Sequence, residues 1–599
     1  MRSHIDSLRR NPVMKKVVSL LIAAMLVLSC VAALADLSPK TKEAVEAGLV
    51  VLDGSQGTTI IPDPDAFEAK YGKLSMLFVN SASRKVPVEE LAMVKRWEKD
   101  TGVRFDWQKI PADGAQEKIN LMLTSGEKLP DAFFNFGDGK STTIVVNALG
   151  QDVFLPTEDL IKEYMPTLTK VLQDNPNYMQ EVTAPDGHTY GFPYIEQMFG
   201  LVLTPGPLLI NQVWLDKVGM KMPTTVDELT EVLRAFKAAG DLNGNGEADE
   251  IPMATIFGAG SGDTFGSYDM FYRFTGAFGC EDTVCGGYEN ANHLRQIDGK
   301  VTYTAIDPAF GKTAMYFHQL YEEGLLNVDC FEPMTGSSTN YTNNEIAQDI
   351  AKIGVMGVWS DMSIINNSVR HEYVPIPQLQ GEAGTTGNAL NYSELQDACD
   401  TAITVDCEFP EIIAAFTEYM ISDPQLSVQS NWGAIGGNYY LADDGVMRFH
   451  LDENGDIITG TEWGDFQNNF GQARENTTTC RGSMIVLNEY YNTPEQPNGI
   501  VEYTYDAANL LAFQRVNGKE KDLEQYDTIP KIMLLNEEQQ EISRLVEVTN
   551  PIVKKYIQQW VINGNVDSTW DAYVSELKGA GIDRIVEIYQ AALDRINGK

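Results

Sequence analysis

A chain of 599 residues with 43% hydrophobic and 22% charged side chains has a globular composition and is too long for one hydrophobic core. Its formal charge of −39 makes nucleic acid and anionic membrane surfaces poor partners.

The chain opens with a secretory leader over residues 1–35. Lys15 and Lys16 precede an apolar run from Val17 to Leu28, and Ala33-Leu34-Ala35 offers a small-residue cleavage site before Asp36. Cleavage there removes five basic residues and one acidic one and leaves a charge of −43. Two rival readings stand beside it: Val27-Leu28-Ser29-Cys30 as a lipobox with Cys30 lipidated, and Val17–Ala35 retained as an anchor. No later stretch is apolar enough to span a bilayer, so we expect an exported protein, extracellular or at the cell surface, or periplasmic where an outer membrane exists. Residues 36–72 read as an extension without an assigned role.

From Lys73 strand and helix patterns alternate. Leu74–Val79 is an apolar strand. Leu91, Val94 and Trp97 line a helix, and Val103, Phe105 and Trp107 alternate as a strand. Ile119–Leu123 is helical up to Ser125-Gly126, and Pro130–Asn135 is the next strand. Strands separated by helices of this length predict a parallel α/β sheet covered on both faces. Ligands of such sheets sit beyond the carboxyl ends of the strands, which places Asn135 and Asp138 on a candidate rim.

Asp186-Gly187-His188 is a turn before Thr189–Tyr194, and Leu208–Asn211 opens a second strand–helix series. Thr225 and Glu228 form a capping box for a helix carrying Leu229, Val232, Leu233 and Phe236, which Gly240 ends. Then comes D-L-N-G-N-G-E-A-D-E-I-P, residues 241–252. Asp241, Asn243 and Asn245 bear oxygen at alternate positions, Gly246 supplies the turn, Glu247 offers a carbonyl, and Asp249 closes the run. That is the first part of an EF-hand-type calcium loop. Its twelfth position is Pro252, so Glu250 is the only replacement for the usual bidentate Glu. Hard oxygens without His or Cys suit calcium, in a structural role. The plain alternative is a Gly/Asn-rich turn. Ile251–Phe257 reads as the buried strand that follows.

Six cysteines follow the leader: Cys280, Cys285, Cys330, Cys399, Cys407 and Cys480. Cys280–Cys285 and Cys399–Cys407 are near enough to close small loops, but the pairing is not readable from sequence. His188, His293, His318, His371 and His450 stand singly, and there is no H-E-x-x-H, Walker loop or G-x-S-x-G. Gly258–Gly262 is Gly-rich but lacks a following Lys and reads as a loop at a strand end. Carboxylate pairs carry no weight in so acidic a chain, so no catalytic residue is assigned.

Several stretches in order resemble one family: Leu121–Phe134, Asp186–Pro193, Ile210–Val226, the 241–252 loop, Gly354–Trp359, Trp432–Tyr440 and Trp570–Gln590. Together they are similar to extracellular solute-binding proteins of ABC importers, family 1, in the carbohydrate group of alginate- and maltose-binding proteins. The resemblance implies a two-lobed, periplasmic-binding-protein-like (type II) α/β fold with three inter-lobe crossings. Those fall at Tyr190–Tyr194, Glu372–Pro377 and Asn431–Gly433. Lobe 1 would comprise 73–195 and 378–430, and lobe 2 would comprise 196–377 and 431–599. It also implies structural calcium on Asp241, Asn243, Asn245, Glu247, Asp249 and Glu250.

The function so implied is capture of an oligosaccharide and delivery to a permease, by a monomer. The alternatives are a secreted glycosidase or lyase, or a binder of a non-sugar ligand such as a peptide. Sugar sites combine aromatic platforms with carboxylates and amides. By resemblance Trp359 is a cleft tryptophan with Asp361 beside it, Tyr194 and Glu196 face the cleft, and Trp432, Tyr439 and Tyr440 follow the third crossing. Trp97, Trp107, Trp214, Trp463, Trp560 and Trp570 are assigned to cores or helix faces.

Overall fold

The computed structural model describes residues 37–598, apart from 56, 138–140, 205, 258–268, 283–291, 332–349, 358–366, 388–391, 454–456, 494–496 and 503–527. The leader, Cys285 and the Gly258–Gly262 loop lie outside the described residues.

The first four strands are β1 (Leu74–Asn80), β2 (Phe105–Pro111), β3 (Ala132–Phe134) and β4 (Phe192–Glu196). The first three pair in parallel, β1 at the centre, as strand–helix alternation predicts. β1 is buried almost throughout because helices cover both faces of its sheet. The helix Ala92–Thr101 buries Met93, Val94 and Trp97 and stops at Gly102, whose φ is 72°. A side chain there would strike the Ile61 carbonyl at 2.0 Å, so only glycine fits.

That carbonyl belongs to the segment before the first strand. Ala44, Val50, Ile60, Ile61 and Phe67 are buried in the same core as β1, with Phe67 against Phe409 at 5.2 Å. Residues 37–72 are therefore part of the first body rather than an appendage.

The chain then builds a second sheet from β5 (Leu208–Asn211), β6 (Ile251–Met253), β9 (Ile353–Gly357) and β10 (Tyr373–Pro375), in the order β10-β5-β9-β6. Between them lies a hairpin of β7 (Leu294–Ile297) and β8 (Lys300–Tyr303). β6 is shorter than the Ile251–Phe257 run, since its pairing with β9 ends at Met253. The helix Val226–Ala239 carries the expected capping box on Thr225 and Glu228. It packs Leu229, Val232, Leu233 and Phe236 into a second core shared with the helices Pro308–Glu322, Asn536–Asn563, Val566–Ala580 and Ile582–Ile596.

β11 (Leu395–Ile403) returns to the first sheet and inserts antiparallel between β3 and β4. Cys399 on this strand and Cys407 beyond it are buried free thiols, as are Cys330 and Cys480, while Cys280 is a half-buried free thiol. A third, small sheet follows from β12 (Tyr439–Leu441), β13 (Met447–Leu451) and β14 (Ile457–Ile458). β15 (Ile485–Val486) then joins the edge of the first sheet beside β4, giving β15-β4-β11-β3-β1-β2. The third sheet is completed by β16 (Tyr491–Asn492) and β17 (Val501–Glu502). Within the span 431–599 expected for the second lobe, residues around β15 thus belong to the first sheet. Two residues of pairing leave no periodic trace in a sequence.

Candidate functional site

β4 ends on Glu196, and its carboxylate is buried. An unpaired buried carboxylate costs several kcal/mol, so its partners define the site. The Tyr194 hydroxyl donates to Glu196 Oε2, and Asn431 Nδ2 donates to the same oxygen at 3.1 Å. The Trp432 indole N–H donates to Oε1 at 2.5 Å. Asn431 and Trp432 sit at the end of the helix Pro424–Trp432, so the first and third predicted crossings meet on one carboxylate. Arg474 lies over the Trp432 ring at 4.2 Å and donates to the Asn431 carbonyl and Oδ1, each at 2.7 Å. Burial pushes the Glu196 carboxyl up, against the downward pull of Tyr194, Arg474, Trp432 and Asn431. Burial, helped by the Glu196 charge, raises the Tyr194 hydroxyl well above its usual range.

Segment 474–483 laces this cluster to the carboxyl edge of the first sheet. Arg84, after β1, donates to the carbonyls of Glu475, Thr478 and Thr479. Asn135, after β3, takes φ 45° and donates its amide to the Thr479 carbonyl at 3.0 Å. Asp400 accepts the amides of Gly482 and Ser483 at 2.7 and 3.2 Å on one oxygen, and its other oxygen is buried with no hydrogen-bond partner. Burial, with Asp397 nearby, pushes the Asp400 carboxyl up to about 7.

The predicted residues divide accordingly. Asn135, Tyr194, Glu196 and Trp432 gather at the edge of the first sheet. Tyr439 is fully buried and stacked on Phe449 at 4.9 Å, so its ring serves the core of the third sheet. Tyr440, the next residue, points the other way and is exposed. Asp138, Trp359 and Asp361 lie outside the described residues. Arg474 belongs to the cluster without having been singled out, and Asn431 was read only as the start of the third crossing, because neither stands in a binding motif. Trp463 is exposed on a loop rather than in a core or on a helix face. A cavity of about 1210 Å³ between the helices Val226–Ala239, Pro308–Glu322 and Val566–Ala580 shares no residue with the Glu196 cluster.

In the 241–250 loop the side-chain oxygens turn onto the loop's own amides. Asp241 accepts from Gly244 and Gly246, Asn243 from Asn245, and Asn245 from Glu247. Glu250 Oε1 accepts from Leu242 and Asn243, while Oε2 is buried with no hydrogen-bond partner. Asp249 pairs with Lys352 at 2.8 Å, which lowers its pKa. Among the described residues no group of three or more His, Cys, Asp or Glu is gathered as a metal centre. The donor set is nonetheless all oxygen, and the orphaned Glu250 oxygen is what a cation would satisfy, so the residues fit a hard divalent ion.

A family model described as bacterial extracellular solute-binding protein matches residues 84–395. The chain is 30% identical over 574 residues to the fructooligosaccharide ABC transporter substrate-binding protein FusA of Streptococcus pneumoniae serotype 4, covering 93% of this chain and 98% of FusA. This chain is a bacterial extracellular solute-binding protein. Among solved structures, FusA in complex with kestose superposes with a TM-score of 0.68 at 29% identity, covering 88% of this chain and 99% of FusA. A FusA EF-hand mutant in complex with fructo-nystose gives the same values. The alginate-binding protein AlgQ2 without calcium ion shares the fold, with a TM-score of 0.61 at 19% identity over 87% of this chain and 98% of AlgQ2. The two-lobed type II fold is that of the family.

The Asp400 geometry has a measurable consequence. Its carboxyl titrates near 3.8 when unfolded and up to about 7 when folded, so the native state holds its proton more tightly. That contribution is complete below about pH 4 and is lost as pH rises through about 7. Melting temperatures of wild type and Asp400→Asn across this range should show the wild type losing stability relative to the variant. Parallel curves would contradict the assignment.

Proposed function

We propose that this chain is the solute-binding component of an ABC importer, taking a neutral oligosaccharide between its lobes and delivering it intact to a membrane permease. The observation that carries this reading is the near full-length similarity to FusA. The geometry agrees with it, because the strand leaving the first sheet ends on a carboxylate held by aromatic and amide groups. A charge of −43 after leader removal disfavours capture of polyanions over distance. Fructooligosaccharides, named for FusA, are the leading ligand class. The protein would act as a monomer, exported by cleavage after Ala35 rather than lipidated at Cys30.

The division into 73–195 plus 378–430 and 196–377 plus 431–599 describes the two halves of this clamp, amended by the place of residues 37–72 and of β15 in the first. Asn135, Asp138 and Asp361 would take sugar hydroxyls, with Trp359 offering a ring face, while the buried Glu196 and Tyr194 would keep the rim in shape. Each stacked ring buries apolar area worth about 1–2 kcal/mol, so a few contacts give micromolar affinity. A thermal-shift panel of kestose, nystose, uronate oligomers and peptides should give stabilisation by the neutral fructans. Trp359→Ala should weaken that binding at least about tenfold without unfolding the protein. Stabilisation by peptides alone would overturn the sugar reading.

The 241–250 loop would hold calcium through the side chains of Asp241, Asn243, Asn245, Asp249 and Glu250 and the carbonyl of Glu247. Its role would be to fasten the helix Val226–Ala239 to β6. A cation bound only by the native loop stabilises by mass action, so calcium should raise the melting temperature and a chelator lower it. Asp241→Ala should match the chelated protein while leaving ligand affinity within about twofold. Melting indifferent to both additions would make the loop a plain turn.

A further inference from the structure

The helix Pro308–Glu322 buries one face in the second core and turns the other into a groove. That groove is the cavity of about 1210 Å³ that it shares with the helices Val226–Ala239 and Val566–Ala580, with Gln380–Glu382 in its wall. Lys312, Met315, Gln319 and Glu322 line it at spacings of three and four residues, so the groove follows one stripe of the helix. A helix of 15 residues is about 22 Å long.

The floor is apolar. Met315 is exposed, and Val566, Tyr316 and the partly buried Phe278 and Trp570 line the same cavity. A Cβ on Gly311 would meet Val566 Cγ1 at 2.9 Å and the Trp570 ring at 3.2 Å, so glycine lets the two helices approach closely. Trp570 is backed by Trp560, stacked at 5.6 Å.

The walls carry more acid than the fold pairs. Lys312 takes Glu382 at 2.7 Å, and Arg234 takes Glu323 at 2.5 Å. Asp227, Asp567 and Asp571 are exposed, and among the described residues no ion pair holds them. Asp227 and Asp567 stand in the first turns of their helices, where the dipole favours an acid. Glu322 stands at the other end of its helix, where the dipole disfavours it and the last turn holds no basic residue. The His318 Nδ1–H donates to the Val561 carbonyl at 2.9 Å, which leaves Nε2 at 3.6 Å from the Glu322 carboxylate. A charge that opposes its own helix points to a partner outside the chain.

Size and charge decide the occupant. A groove larger than the roughly 300–1,000 Å³ of small-molecule sites, open along a helix, fits a chain segment. Carboxylates on both walls above an apolar floor fit a helix with one apolar face flanked by Lys or Arg. The wall Gln380–Glu382 follows β10 past its carboxyl end, the side on which ligands of such sheets sit.

We propose that this groove docks a basic amphipathic helix of the membrane permease, its apolar face on Met315 and Trp570 and its cations against Asp227, Glu322, Asp567 and Asp571. This rests on the importer reading above.

The test is binding of the purified mature protein to membrane vesicles that hold the permease, beside vesicles that lack it. Wild type should bind only the former. Asp567→Lys with Asp571→Lys should weaken that binding about tenfold or more and leave kestose affinity, read by calorimetry, within about twofold. Glu322→Lys, which puts a cation where the dipole favours one, should melt no lower than wild type and still dock about fivefold or more weakly. Glu127→Lys with Glu163→Lys makes the same charge change at exposed sites of the first body and should dock as wild type does. Groove variants that dock like wild type, or losses matched by the Glu127 and Glu163 control, overturn the groove while the importer reading stands. Equal binding to vesicles without permease makes the partner a lipid surface and overturns it too. A folded wild type that binds no permease vesicle overturns the groove together with the importer reading.

Discussion

One buried carboxylate organises the edge of the first sheet. Glu196 ends the strand on which the chain leaves that sheet, and without partners its charge would cost several kcal/mol. Tyr194, Asn431 and Trp432 supply the donors, and Arg474 holds Asn431 and covers Trp432. Removing any one partner leaves a buried acceptor unsatisfied, so the group behaves as a unit. The helix Pro424–Trp432 and segment 474–483 are thereby tied to one point, beside β15 at the sheet edge.

The same edge is where an α/β sheet presents ligand-binding groups, beyond the carboxyl ends of its strands. Arg84, Asn135 and Asp400 each reach segment 474–483 from a different strand. A rim laced in this way is preformed, which lowers the entropy cost of ordering side chains on a flexible sugar. The inward residues of the third sheet, Tyr439 and Phe449, close a small core of their own.

Much of this could be read from the chain. β1, the helix over Trp97, the Thr225–Glu228 capping box and the strand at Leu208–Asn211 each follow from local periodicity or cap chemistry. What escaped depends on distant partners. The short helices before β1 carry little pattern of their own and gain meaning only against Phe409 and Ile61. Tyr439 and Tyr440 are adjacent aromatics, and only the strand register decides which is buried. Trp463 is fixed by a carbonyl contributed from 28 residues away, which no spacing announces. Of the candidate site, Tyr194 and Glu196 were legible from the family resemblance, whereas Asn431 and Arg474 needed the fold.

If this cluster marks where the lobes join, ligand must draw the two halves of the chain together about it. Small-angle X-ray scattering of the mature protein, with and without saturating fructooligosaccharide, tests that most directly. The account predicts a smaller radius of gyration on binding. A profile unchanged at saturation would contradict it.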